Sequence, residues 1–362
     1  MSQNNKISNG INQIIKEDIK NIVKRLGKDT KRLSGKNLLV TGSSGLIGSY
    51  IIETIAYLNN EKKLSKHCKV VGLQKSKITK NQRLGYLLNR NDVKFVSRNA
   101  SIPYSPPFKI DYIIHAAGDS APASFTSDPL GTIDVNISGI RWILEYAKNH
   151  KVKSVLYMSS GEVYGNPDSE NIPTPETYNG NVSTTDPRSC YTSSKRLAET
   201  LCNIYFEKFG VSVKIARPFI VYGPGLGTND KRVMADFIRN GLKKEPIEML
   251  SEGKDTRSYC YIEDATVAFF KILLSEKNGE IFNVASDLEE VSIRDLAELV
   301  HRVCKISSPV KVKKSNIRFI KDAPNRVFPD ITKLKKTFAF TPRVHIEEGL
   351  QRTIDWNKSM IN

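Results

Sequence analysis

The chain has no apolar run of the roughly 18 residues that a membrane-spanning helix needs, so no helix is expected to cross a bilayer. It also lacks any CxxC pair. Its five cysteines (Cys68, Cys190, Cys202, Cys260, Cys304) are odd in number and widely scattered, which argues against a disulfide framework and for reduced thiols in a cytoplasmic protein. The five histidines never fall at metal-ligand spacing from these cysteines, so no metal is expected. Met1 to Lys6 is polar and leads into an Asn-rich stretch with no apolar core, so no secretory signal is expected. Lysine and arginine tracts with interleaved aromatics are absent too. Nucleic acid is therefore not an expected partner, although the formal charge is +17.

The 362 residues, 39 % hydrophobic and 26 % charged, suffice for a large core without metal or disulfide staples. Residues 1–36 carry nine Lys/Arg against three acids, and residues 301–362 fourteen against five. These ends supply +15 of the +17, and the middle is nearly neutral. Such a field solubilises the protein or attracts an anionic small molecule.

Apolar residues at Ile11, Ile14, Ile15, Ile19, Ile22, Val23 and Leu26 follow a helical period and predict an amphipathic helix ending near Gly27. Its stripe can pack on the core or on another subunit. A membrane-surface role would want an aromatic anchor, which this helix lacks. Short apolar runs follow at Lys36–Thr41, Val70–Leu73, Val93–Val96, Tyr112–Ala116, Val155–Met158 and Val211–Ala216. Helical stretches such as Thr132–Asn149 and Tyr191–Phe209 separate most of them. The alternation predicts an α/β fold, a Rossmann-like doubly wound parallel sheet covered on both faces. The expected organisation is an extension over residues 1–34, a dinucleotide-binding domain over 35–220, and a smaller substrate-binding lobe over 221–362.

Gly42-x-x-Gly45-x-x-Gly48 lies between a predicted strand and a predicted helix, the setting a dinucleotide-binding turn requires. Gly42 permits the tight turn, Gly45 the close approach of a pyrophosphate, and Gly48 the packing of helix on strand. Leu46 and Ile47 open the helix whose N-terminus faces the phosphates. After the second strand the sequence is Gly72-Leu-Gln-Lys-Ser-Lys77, without the acid that usually binds the ribose hydroxyls of NAD, so composition alone also allows NADP. Tyr191 and Lys195 are four apart on one helical face, where an ammonium favours the phenolate and makes the tyrosine a proton acceptor. Ser160, just after the Val155–Met158 strand, reaches the same crevice.

With these motifs the sequence resembles the extended short-chain dehydrogenase/reductases that modify nucleotide sugars. The matching segments are Val40 to Gly48, His115-Ala-Ala-Gly118, Ser159 to Gly165, Tyr191-x3-Lys195, Arg217 to Pro224, Gly253 to Arg257 and Pro329-Asp-Ile331. Within that family the string Arg188-Ser-Cys-Tyr191-x3-Lys-Arg196, with Arg232-Val233 and Arg326, is most similar to UDP-glucuronate decarboxylases. The resemblance implies NAD held by the glycine turn, Ala116, Ala117 and Gly118, together with Tyr191 and Lys195. It implies a nucleotide-sugar substrate contacted by Asp119, Ser160, Arg217, Arg232, Arg257 and Arg326. Catalysis would fall to Ser160, Glu162, Tyr191 and Lys195 through a transient 4-keto sugar. It further implies a homodimer through a four-helix contact of the Thr132–Asn149 and Tyr191–Phe209 segments, and a role in supplying polysaccharide precursors.

Three departures bear on the reaction. Ser160-Gly161-Glu162 lacks the acid of the family's dehydratases and the middle serine of its decarboxylases. Ile220 stands where an asparagine is usual, and Asp119 places a carboxylate in a loop over the crevice. Glu162 is then either a base at C5 or a residue fixing the Val163–Gly165 turn. Decarboxylation, epimerisation at C4 or C5, and net NADPH-dependent reduction of a 4-keto sugar all remain open.

Overall fold

The computed structural model describes residues 11–118, 120–186, 188–227, 230–313 and 324–361. The strands are β1 (Asn37–Thr41), β2 (Lys69–Gln74), β3 (Val93–Ser97), β4 (Tyr112–His115), β5 (Ser154–Met158) and β6 (Val213–Pro218). Shorter ones follow: β7 (Ile220–Tyr222), β8 (Glu248–Met249), β9 (Thr256–Arg257), β10 (Tyr259–Tyr261), β11 (Ile281–Val284), β12 (Val291–Ser292), β13 (Lys311–Val312) and β14 (Arg326–Val327). Seven of them form one sheet in the order β11-β6-β5-β4-β1-β2-β3. Every pairing in it is parallel. β1, β4 and β5 are buried almost throughout, as their unbroken apolar sequences require of strands covered on both faces.

The helices are α1 (Gln13–Leu26), α2 (Leu46–Asn60), α3 (Pro122–Ser127), α4 (Pro129–His150), α5 (Ser189–Phe209), α6 (Val233–Lys243), α7 (Ile262–Leu273) and α8 (Ile293–Cys304). α4 and α5 cover one face of the sheet, packing Ile140, Ile143, Leu144, Ala198 and Cys202 against Val155, Tyr157 and Val213. α2 and α7 cover the other, and α1 lies outside them. The chain returns to the first domain's sheet through β11, so the boundary expected at residue 220 separates the halves in sequence and not in space.

The N-terminal helix resolves its amphipathic stripe by packing on the core. Asn12 caps it, accepting from the Ile14 amide at 3.0 Å, and Ile15, Ile19, Ile22 and Leu26 are buried. Polar groups fix its position. Arg25 pairs with Asp264 at 2.5 Å and Glu263 at 3.2 Å. Asp18, fully buried, accepts from the Tyr50 hydroxyl at 2.6 Å, from Tyr261 at 3.0 Å and from Arg352 at 2.6 Å. These partners come from α2, β10 and the C-terminal helix Ile346–Ile361, so one carboxylate joins the extension to both halves of the chain. Removing it leaves a guanidinium and two phenols without their acceptor. Asp18→Ala is expected to lower unfolding stability by about 3 kcal/mol, measured by urea titration with an unchanged slope.

Candidate active site

Physical chemistry at the C-terminal ends of β1 and β4 explains the glycine turn. Gly42 has φ +68°, and a Cβ there would come within 2.5 Å of the Ala116 carbonyl oxygen. A Cβ on Gly48 would meet the Gly42 carbonyl oxygen at 2.3 Å, so α2 can rest on the turn only with glycine at that place. Gly45 has only the Gly42 carbonyl near, at 3.3 Å, and its other side is open. No side chain caps α2, which leaves the amides at Leu46 and Ile47 turned toward whatever lies beyond Gly45. The Ala117 amide donates to Thr41 Oγ1 at 3.2 Å, tying the Ala116–Gly118 segment to β1. These are the groups a dinucleotide pyrophosphate needs, and the residues present fit it.

Tyr191 and Lys195 lie on the buried side of α5. The Tyr191 ring stacks on Phe125 with centroids 5.0 Å apart. Lys195 donates to the Met158 carbonyl at 2.7 Å and lies over the rings of Tyr157 (5.0 Å) and Tyr191 (5.8 Å). A Cβ built on Gly118 would stand 3.8 Å from Lys195 Nζ, so the ammonium reaches the end of β4 beside the glycine turn. Burial pushes the Lys195 ammonium down to about 8, opposed by Glu199 one turn along and by Cys202. His115, also facing Lys195, is driven down to about 3 by burial and by that ammonium, and stays neutral. Tyr157 is held protonated by full burial and is no competitor as a base. Ser160 Oγ accepts from the Glu162 amide at 3.2 Å and keeps its own proton for another acceptor. Glu162 is exposed on the turn that follows.

Glu199 and Arg217 form a layer beneath the pair. Arg217 donates to Glu199 through Nε at 2.9 Å and through the guanidinium nitrogen at 2.6 Å. It also donates to the Tyr164 hydroxyl at 2.8 Å and the Glu176 carbonyl at 3.2 Å. Ser159 donates at 2.5 Å to the same Glu199 oxygen that Arg217 Nε reaches. Arg217 is thus engaged by partners within the protein. Arg326 is engaged as well. In the β9–β14 pairing it stands opposite Thr256, and both bond Glu290, whereas Arg257 stands opposite Val327. Because side chains alternate along a strand, Arg326 and Arg257 leave opposite faces and do not converge.

Arg257 is half-buried, donates only to the carbonyls of Thr256 and Asn325, and has no carboxylate within 4 Å among the described residues. Burial pulls its guanidinium down, and Tyr259, Asp255 and Glu162 oppose that, so Glu162 and Arg257 share one field. Arg232 forms a two-point pair with Asp230, at 3.0 and 2.7 Å, and would share any phosphate with that acid. Asp119 lies outside the described residues. Gly161 has a packing reason: a Cβ there would lie 2.7 Å from the Phe219 ring, which itself stacks over Tyr164. Sequence reasoning missed Glu199 and Phe219. The first was legible as an acid one helical turn beyond Lys195.

Protonated Lys195 is the form that supports the Tyr191 phenolate, and it is lost as pH rises through about 8. Activity should therefore fall on the alkaline side of about pH 8. Glu199 raises the lysine, so Glu199→Gln should move that limb to lower pH; the pH profile of kcat/KM for wild type and variant checks both.

The fold and motifs agree with comparisons to known proteins. The model of the NAD dependent epimerase/dehydratase family matches residues 38–285. UDP-glucuronic acid decarboxylase 1 of Arabidopsis thaliana is 30 % identical over 93 % of this chain and 73 % of its own length. The protein of that name from Danio rerio is 28 % identical over 89 % of this chain and 72 % of its own. Among solved structures, an epimerase of Methanothermobacter thermautotrophicus superposes with a TM-score of 0.78 at 24 % identity, over 93 % of this chain and 96 % of that one. The UDP-N-acetylglucosamine 4-epimerase of Methanobrevibacter ruminantium, solved with UDP-N-acetylmuramic acid, gives 0.76 at 24 %, over 90 % and 99 %. Matched along most of its length, from the glycine turn through the Tyr191–Lys195 pair, the chain belongs to the NAD dependent epimerase/dehydratase family, and NAD is its cofactor.

Proposed function

We propose that this protein transiently oxidises C4 of a nucleotide sugar and that, with UDP-glucuronate, the cycle releases carbon dioxide. The observation that carries this reading is the convergence of Tyr191, Lys195 and Gly118 beside the open side of the glycine turn. The 30 % identity to a UDP-glucuronic acid decarboxylase supports the choice of sugar. Tyr191 takes the C4 hydroxyl proton while Lys195 holds the phenolate, and Ser160 donates to O4. NAD, held by the glycine turn and Lys195, would supply the hydride acceptor at C4 and the donor for its return. With O4 a ketone, the C5–C6 bond breaks with its electron pair passing toward O4, and C6 leaves as carbon dioxide. Glu162 serves proton transfer at C5, and Tyr191 gives its proton back to O4. Arg257, a half-buried guanidinium without a carboxylate partner among the described residues, takes a phosphate oxygen of the diphosphate, and Arg232 takes another.

A second reading, epimerisation, draws on the Gly161–Phe219 contact. The ring fills the place from which a hydroxyl at 161 would orient a sugar carboxylate. Incubation with UDP-glucuronate, followed by mass spectrometry and cofactor absorbance, separates the readings. Loss of carbon dioxide without net change of cofactor is expected. An isomer of unchanged mass would replace decarboxylation by epimerisation, and stoichiometric oxidation of reduced cofactor would indicate a reductase.

A second copy of the chain is the partner we assign to the outer face of α4 and α5. Leu130, Ile133, Leu197, Ile204 and Phe209 are exposed there, and Leu197 and Ile204 are two helical turns apart on one stripe. Light scattering should give twice the chain mass, and Leu197→Glu with Ile204→Glu should halve it. No helix among the described residues is long and apolar enough to cross a membrane, and all five cysteines are free. Free thiols support a reducing compartment such as the cytoplasm.

A further inference from the structure

The near-neutral middle of the sequence conceals an uneven distribution. From Lys62 to Ile110, the stretch that forms β2, β3 and their connections, Asp92 is the only acid among twelve lysines and arginines. Asp92 is itself consumed by Arg90 and Asn59 at the far end of β2, where its backbone carbonyl accepts from Val70. The end of β2 nearest the glycine turn therefore has no carboxylate in its own chain segment.

What stands there is Gln74. It is buried, and its carbonyl oxygen accepts from the hydroxyl of Ser43, the residue after Gly42. The Ser43 amide in turn donates to the Leu73 carbonyl at 3.1 Å, and Gly72 gives the serine room, since a Cβ there would lie 2.9 Å from it. Gln74 is thus fixed against the turn at the place where an acid would accept from the ribose hydroxyls of NAD. With its oxygen engaged, the amide nitrogen remains, and it has no acceptor among the described residues. An amide nitrogen donates; it meets an anion better than a hydroxyl seeking an acceptor. Lys75 and Lys77 follow, both exposed, and Arg98 is bound to this strand end by its backbone amide, 2.8 Å from the Gln74 carbonyl. Among the described residues none of these three cations has a carboxylate within 4 Å.

We propose that the ribose end of the cofactor site accepts a 2′-phosphate, so that the protein binds NADP(H) as well as NAD(H), with Gln74 as the residue that sets this tolerance. The phosphate oxygens take the Gln74 amide protons and lie among Lys75, Lys77 and Arg98, where a carboxylate at position 74 would repel them. The inference rests on the glycine turn as a dinucleotide site and not on the identity of the sugar or the reaction.

The test is competition for the bound dinucleotide. The full-length protein is incubated with equal NAD and NADP until the bound ratio is stationary, then passed through gel filtration and denatured, and the released dinucleotides are quantified by mass spectrometry. NADP is expected within about tenfold of NAD, and Gln74→Asp should shift the ratio about tenfold or more toward NAD. Lys75→Glu with Lys77→Glu should shift it the same way without touching a buried residue, which keeps the test decisive if Gln74→Asp fails to fold. Retention of NAD more than roughly a hundredfold over NADP by the wild type, or a ratio that neither variant moves, would overturn the proposal. Because the readout is bound dinucleotide, a negative result leaves the sugar chemistry untouched, and failure with UDP-glucuronate leaves this proposal standing.

Discussion

An ammonium with no bulk water around it governs the arrangement of this protein's centre. Lys195 is buried between two aromatic rings and donates to one backbone carbonyl, and burial weakens its hold on its proton. Glu199 opposes that loss, but a buried carboxylate needs its own partner, and Arg217 provides it through two hydrogen bonds. Arg217 then holds Tyr164, whose hydroxyl donates to Asn283 at 2.7 Å. Asn283 completes the chain by bonding the carbonyls of Thr174 and Asp330. A single buried charge is thus anchored through α5, β6, β11 and the 328–331 segment, which draws the second half of the chain to the back of the first.

That dependence explains what the sequence revealed and what it concealed. Strands β1, β4 and β5 were legible because both their faces are covered, and the edge strand β3, only partly buried, was legible from its short apolar run at Val93, Phe95 and Val96. β11 was not, because Asn283 interrupts the run Ile281-Phe-Asn-Val284 with a polar group, and only the structure shows that its amide satisfies two distant carbonyls. The glycine turn and the Tyr191–Lys195 pair were legible from spacing, since each is local and its geometry follows from a turn or a helix. The partners of the arginines were hidden for the opposite reason. A guanidinium's role is set by whichever carboxylate folding brings to it: Glu199, eighteen residues before Arg217, and Glu290, thirty-six before Arg326. Spacing carries no information about such partners.

Glycine 161 shows how a local departure acquires meaning from a distant neighbour. In the sequence it reads as the loss of a side chain from a catalytic triplet. In the structure the space beside it is taken by the Phe219 ring, from the end of the first half, so an aromatic group stands where a side chain at 161 would go. The position near Ser160 is thereby shaped by two segments that must fit each other, and substitution at either one alters the wall seen by the sugar.

The late arrival of β11 has a consequence for how the molecule comes into being. During synthesis, β6 has an open edge until residues 281–284 emerge, and α1 has only α2 to rest on until α7 and the C-terminal helix follow. Contacts between chain segments this far apart delay the loss of conformational freedom to the end of folding. A nascent chain ending soon after the Tyr191–Lys195 pair would have most of its dinucleotide-binding residues and still expose a sheet edge and the stripe of α1. Such a chain is prone to association and dependent on chaperones, so completion of the polypeptide and assembly of the site become nearly the same event.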